Sequence, residues 1–208
     1  GEDGLQASRA VPLRLFPDAQ GALVTDAPAA ASLSFVDTGL GVDPRGTCIL
    51  IAGGSRVGCY PLGLPTAQFF ITEPFTEDTR FSGIARAHLG LSHSMPLGHV
   101  GVTLYQVADG QWAPMTYGIA SYNTRDHEQR YVTVTPMQPF EQDVELLVRD
   151  FTISAGQQLA VAIGAQVGRN PMGLSGNGFL PLPSGGISQV LLGGDTWIEL
   201  QQLPGPAA

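Results

Sequence analysis

Few side chains in this sequence are placed to do chemistry. Two serines approach the nucleophile elbow of an α/β-hydrolase: Ser55 in Gly53-Gly54-Ser55-Arg56-Val57 and Ser175 in Gly173-Leu174-Ser175-Gly176-Asn177. The elbow is written G-x-S-x-G and sits on a strained strand-to-helix turn that exposes the hydroxyl. Both segments lack the last glycine and neither precedes a helical pattern, so both read as turns. The histidines are His88, His93, His99 and His127. The helical zinc pattern H-E-x-x-H is absent, and His88 and His93 have opposite parity, which points them to opposite faces of one strand. A bend near Met95-Pro96 would bring His93 and His99 together, but no third ligand of the kind zinc needs is evident. Glu141, Asp143 and Glu145 share one face of a strand, a stripe that a hard cation could use and that more often is a solvated edge. No residue is therefore assigned to catalysis, metal or cofactor.

Cys48 and Cys59 offer a geometric test. With Gly53-Gly54 as the centre of a two-residue hairpin, Ala52 faces Ser55, Leu50 faces Val57 and Cys48 faces Cys59. Opposed residues lie about 5.5 Å apart at Cα or closer, within the reach of a disulfide. The alternatives are a bridge contributing about 3 kcal/mol and two buried free thiols. A bridge implies a secreted or cell-envelope location, and its absence a cytoplasmic one.

The elements that must position these residues read as strands. From Arg80 to Ser92 the odd positions Phe81, Gly83, Ala85, Ala87, Leu89 and Leu91 face one way and Arg80, Ser82, Arg86, His88 and Ser92 the other, which predicts one half-buried strand. The same alternation groups Val100, Val102 and Leu104, then Val144, Leu146 and Val148, then Leu159, Val161 and Ile163. Turn clusters separate them at Ala108-Asp109-Gly110, Ser154-Ala155-Gly156 and Ser184-Gly185-Gly186. No window offers a capped amphipathic helix, and Pro28 limits Ala27 to Ala31 to a turn. Many short strands without crossover helices predict an all-β antiparallel sandwich of jelly-roll type, each sheet with a wet outer face and a packed inner one. The 208 residues are expected to form one domain, with residues 1–12 a loose N-terminal segment and 204–208 a loose tail.

Charge narrows the partners. All ten basic residues are arginines, and against 18 acids they leave a net charge of −8. Nucleic acid and anionic membrane surfaces are excluded, because both require a cationic footprint. The longest apolar runs, such as Thr47 to Gly53, are far short of the roughly 20 residues of a spanning helix. The region Gln111 to Tyr131 is the richest in groups that interfaces favour. Its Trp112, Tyr117, Tyr122, Arg125, His127 and Arg130 are the candidates for an interface or a ligand.

A family resemblance orders these readings. Phe81-Ser82-Gly83-Ile84-Ala85, then Val102-Thr103-Leu104-Tyr105-Gln106-Val107 with Asp109-Gly110, then Met115-Thr116-Tyr117-Gly118 and Arg125, resemble the C-terminal domain of X-Pro dipeptidyl-peptidases and cocaine-esterase-like hydrolases. Val144 to Phe151, Ala155 to Ile163, the early Leu15-Phe16 and Gly21-Ala22-Leu23, and Ser188-Gln189-Val190-Leu191-Leu192 continue it in order. The resemblance implies a galactose-binding-like jelly roll that packs on an α/β-hydrolase domain, of the same or a partner chain, with the Ser, Asp and His of catalysis upstream. It implies a non-catalytic accessory domain; a homo-oligomer stays open. The late loop at Arg169-Asn170-Pro171 matches only in part, and Cys48 with Cys59 departs from the pattern. The alternative is a carbohydrate-binding module, which predicts an exposed coplanar pair among Trp112, Trp197 and the tyrosines. A third reading, a small metalloenzyme, requires His93 and His99 to converge with a carboxylate.

Overall fold

The computed structural model describes residues 10–37, 50–52, 55–57, 65–125, 132–165 and 184–204. In chain order its strands are β1 (Val11–Pro17), β2 (Leu23–Val24), β3 (Ser32–Val36), β4 (Leu50–Ala52), β5 (Ser55–Val57), β6 (Ala67–Ile71), β7 (Thr79–Gly83), β8 (Arg86–His93), β9 (His99–Ala108) and β10 (Gln111–Ser121). A 3-10 turn at Tyr122–Thr124 precedes β11 (Phe140–Glu145), β12 (Arg149–Ile153), β13 (Gln158–Gly164), β14 (Ile187–Leu191) and β15 (Trp197–Gln202).

Most of these strands form two antiparallel sheets. The larger resolves into four rows: β1 with β3, β15 with β14, β7 with β8, and β12 with β11, with β2 beyond β1. The smaller runs β10-β9-β13-β6. The chain starts in the first row, crosses to β6, returns to β7 and β8, makes the β9–β10 hairpin, crosses to β11 and β12, enters β13 and ends in β14 and β15. Eight rows visited in that order are a jelly roll, as the alternation and turn spacing predict. The hairpin turn is Asp109-Gly110, whose φ values of 50° and 71° are both positive, the requirement that makes Asp-Gly the favoured pair there.

The stretch expected as a single strand from Arg80 is broken. Gly83 has φ 111°, and between the pairs Phe81–Gln202 and Arg86–Glu199 the chain advances five residues while β15 advances three. Because the bulge inserts two residues, the inward parity survives it, and Phe81, Ala85, Ala87, Leu89 and Leu91 are all buried. A further expectation fails at an edge. Val148 is 71% exposed, since β11 ends at Glu145 and the chain loops before β12. Near the N-terminus, Val11 and Pro12 pair with Gln202 and Gln201.

The core lies between the sheets, where Phe35, Phe70, Leu104, Ile153, Leu159 and Ile163 are wholly buried. The larger sheet turns charge outward, as expected. The smaller does not: Tyr105, Val107, Ala160 and Ala162 form a second buried cluster with Phe69, Ile71 and Trp112. Strands β9 and β13 are thus buried on both faces, the condition that produces near-continuous apolar runs.

Candidate functional site

Strand β8 ends at His93, and the Met95-Pro96 bend carries the chain back into β9 at His99. The bend does bring both imidazoles into the interior, with 1% and 6% of their surface exposed. His93 Nε2 lies 3.1 Å from the carbonyl oxygen of Leu97, which can only accept, so Nε2 carries the proton. Nδ1 then accepts from the Ser188 hydroxyl at 3.0 Å, and Ser188 Oγ accepts from the Tyr122 hydroxyl at 2.9 Å. Burial lowers the pKa of His93 and raises that of Tyr122, so each is held in its neutral form.

A serine on a histidine is the contact on which nucleophilic catalysis is built, but this one is closed. Ser188 is 1% exposed and Tyr122 has no exposed surface. The carboxylate is also on the wrong imidazole: Asp37 Oδ2 stands 3.7 Å from His99 Nδ1 and accepts from the Ser184 backbone N–H at 2.7 Å. His99 Nε2 donates to the Ala165 carbonyl at 2.8 Å. The group as a whole ties β8, β14 and the turn after β10 together. Among the described residues no three His, Cys, Asp or Glu side chains are grouped to hold a metal ion.

The acidic stripe is present on β11, and its charges meet cross-strand partners on β8. Asp143 Oδ1 is 2.7 Å from His88 Nδ1, and Glu145 Oε1 is 3.1 Å from Arg86. His88 stacks on Trp197 with ring centres 5.1 Å apart, and the Arg14 guanidinium lies 3.9 Å from the centre of the same indole. Strands β1 and β8 flank β15 on opposite sides, so Arg14 and His88 reach Trp197 from opposite sides.

The six candidates from Gln111 to Tyr131 do not assemble. Trp112 packs edge-to-face on Phe69 and Tyr105 outside the smaller sheet, whereas Trp197 is outside the larger one; the two tryptophans share no platform. Tyr117 is half-buried near the middle of β10. Tyr122 belongs to the core, and at about 3.3 Å per residue along β10 it is roughly 30 Å from Trp112. Arg125 donates to the Tyr122 carbonyl at 2.9 Å and lies 5.5 Å from the Phe140 ring centre. With His88, Glu141 and Asp143 it lines a polar recess of about 460 Å³. His127 and Arg130 lie outside the described residues, as do Cys48 and Cys59. Of the cysteine hairpin, the pairs Leu50–Val57 and Ala52–Ser55 are in the predicted register. The residues missed by sequence reasoning are Ser188, Asp37 and Arg14, whose contacts depend on pairing between distant strands.

The model of the X-Pro dipeptidyl-peptidase C-terminal non-catalytic domain matches residues 53–174, more than half of the chain. No curated protein matches the chain. Among solved structures, an aminopeptidase from the marine sediment archaeon Thaumarchaeota archaeon superposes with a TM-score of 0.70 at 17% identity, over 95% of this chain and 37% of that one. A CocE/NonD family hydrolase from Staphylococcus aureus gives 0.71 at 13%, over 93% and 37%. An α-amino acid ester hydrolase gives 0.67 at 20%, over 91% and 36%. Identities this low establish a shared fold, and the chain spans little more than a third of each of these proteins.

Proposed function

The chain belongs to the family of X-Pro dipeptidyl-peptidase C-terminal non-catalytic domains, and we propose that it acts as the accessory jelly roll of a serine hydrolase of the peptidase or esterase kind. In this reading it packs on an α/β-hydrolase domain that carries the nucleophile, stabilises it and shapes the approach to its active site. One observation supports the reading most: the serine–histidine contact at Ser188 and His93 is sealed in the interior, where it can lock strands but meet no substrate. We read Trp112, Tyr117, Arg125, His127 and Arg130 as separate points of contact with that domain rather than one patch, and the chain as one domain that unfolds in a single transition.

Hydrolysis of an Ala-Pro chromogenic substrate and of a simple aryl ester by this chain alone tests the proposal. No turnover above buffer is expected. Appreciable turnover that disappears in Ser188→Ala would overturn it. Where the hydrolase domain is on the same polypeptide, removing these residues is expected to lower its melting temperature.

A further inference from the structure

The cleft between the β1–β2 hairpin and the segment from Thr72 to Thr79 has a volume of about 490 Å³, within the range of small-molecule sites. Its apolar lining comes chiefly from Leu13, Leu15, Leu23 and Phe75, and among the described residues the only charged ones that line it are Glu73 and Glu77. Both glutamates are exposed, and among the described residues neither has a cationic partner. Backbone hydrogen bonds hold both walls: Ile71 N–H to the Gly21 carbonyl at 2.9 Å, Thr72 N–H to Leu159 at 2.9 Å and Phe75 N–H to Gln157 at 2.8 Å. The cleft is therefore preformed, and little ordering cost falls on an occupant.

We propose that this cleft binds a small organic cation, an apolar body carrying an ammonium group. The body removes the exposed parts of Leu13 and Phe75 from water, and the ammonium is attracted to the negative charges of Glu73 and Glu77 in the lining. An anion of the same shape meets only repulsion, and a neutral isostere gains only the apolar term. The inference does not depend on the chain being an accessory domain, since all of its groups lie within the described residues.

The test is titration of the isotopically labelled chain with 2-phenylethylammonium, followed by amide resonances, alongside 2-phenylethanol and phenylacetate. Saturable shifts confined to residues 23–25 and 72–79 are expected. They should weaken about fivefold for the alcohol and for the double variant Glu73→Gln, Glu77→Gln, and weaken again as salt is raised. Both substitutions are on exposed positions, so the variant retains the fold. Shifts that do not saturate, that scatter over the surface, or that the alcohol reproduces at equal concentration overturn the proposal.

Discussion

Ser188 donates its hydroxyl proton to Nδ1 of His93 across 3.0 Å, and the same oxygen accepts from Tyr122 at 2.9 Å. Ser188→Ala strands two buried polar groups at once, each at a cost of about 1–3 kcal/mol. Tyr122→Phe removes a single donor and leaves the Ser188–His93 bond in place, so its cost is about 1 kcal/mol. Urea unfolding should rank Ser188→Ala well below Tyr122→Phe. Equal midpoints would show that the network adds nothing beyond packing.

The same burial predicts how stability changes with pH. His93 titrates lower in the folded chain than in the unfolded one, chiefly through desolvation. Above about pH 6.5 both states hold it neutral and it contributes no pH dependence. As pH falls below that value the unfolded state takes up the proton first, and stability declines until the folded pKa is reached. The groups facing the ring are Ser188, Tyr122, Ser184 and the Leu97 carbonyl, with the Asp37 charge and His99 further off. Unfolding midpoints should drop between pH 7 and pH 5, with a slope of at most about 1.4 kcal/mol per pH unit from this group. His93→Gln should be less stable at pH 7 but flatter over that range, and an unchanged slope would exclude His93 as the source.

Which features were legible in the sequence follows from the range of the forces that make them. The Asp109-Gly110 turn is local: two adjacent positive φ values select that dipeptide. The inward rows through Leu104 and Val161 are equally readable, because period two needs only neighbours. The bulge at Gly83 was invisible, since two inserted residues leave parity unchanged. The apolar outer face of the smaller sheet was masked as well, because its Ala160 and Ala162 alternate with Leu159, Val161 and Ile163, which are themselves apolar. The His93–Ser188 contact depends on β8 pairing with β14 in one register, a long-range choice that one sequence does not reveal.

Gly118 marks where the two sheets meet at one side of the sandwich. A Cβ there would collide with the Glu145 carbonyl oxygen, while Thr116 Oγ1 donates to the Leu147 carbonyl at 2.6 Å and Leu147 N–H to Tyr117 at 2.9 Å. Gly118→Ala must push β10 from β11 or strain those bonds, for about 1–3 kcal/mol. Gly194, with open space at its Cβ position and no positive φ, is the control, and Gly194→Ala should be neutral or slightly stabilising. Melting temperatures of the two variants decide the matter; similar values would mean that the junction yields freely.

Two exposed arginine contacts on the larger sheet should respond differently to salt. Arg80 and Asp150 make a bidentate pair with bonds of 3.0 and 2.6 Å, about half exposed on each side, and Arg80 holds the Asp150 carboxyl below its ordinary pKa. A double-mutant cycle on such a pair yields about 0.2–1 kcal/mol, and ions in solution erode it. Arg14 instead lies over Trp197 as well as on Glu199 at 2.9 Å. Its attraction to the indole face, about 0.5–1 kcal/mol, rests on close contact of the stacked groups and persists when ionic strength screens the carboxylate. Cycles of Arg80→Ala with Asp150→Ala and of Arg14→Ala with Trp197→Leu, each at 0.05 M and about 1 M salt, where the screening length falls to about 3 Å, separate the two. The first coupling energy should largely vanish and the second should retain most of its value; parallel losses would mean that Trp197 contributes area to the stack but no specific attraction.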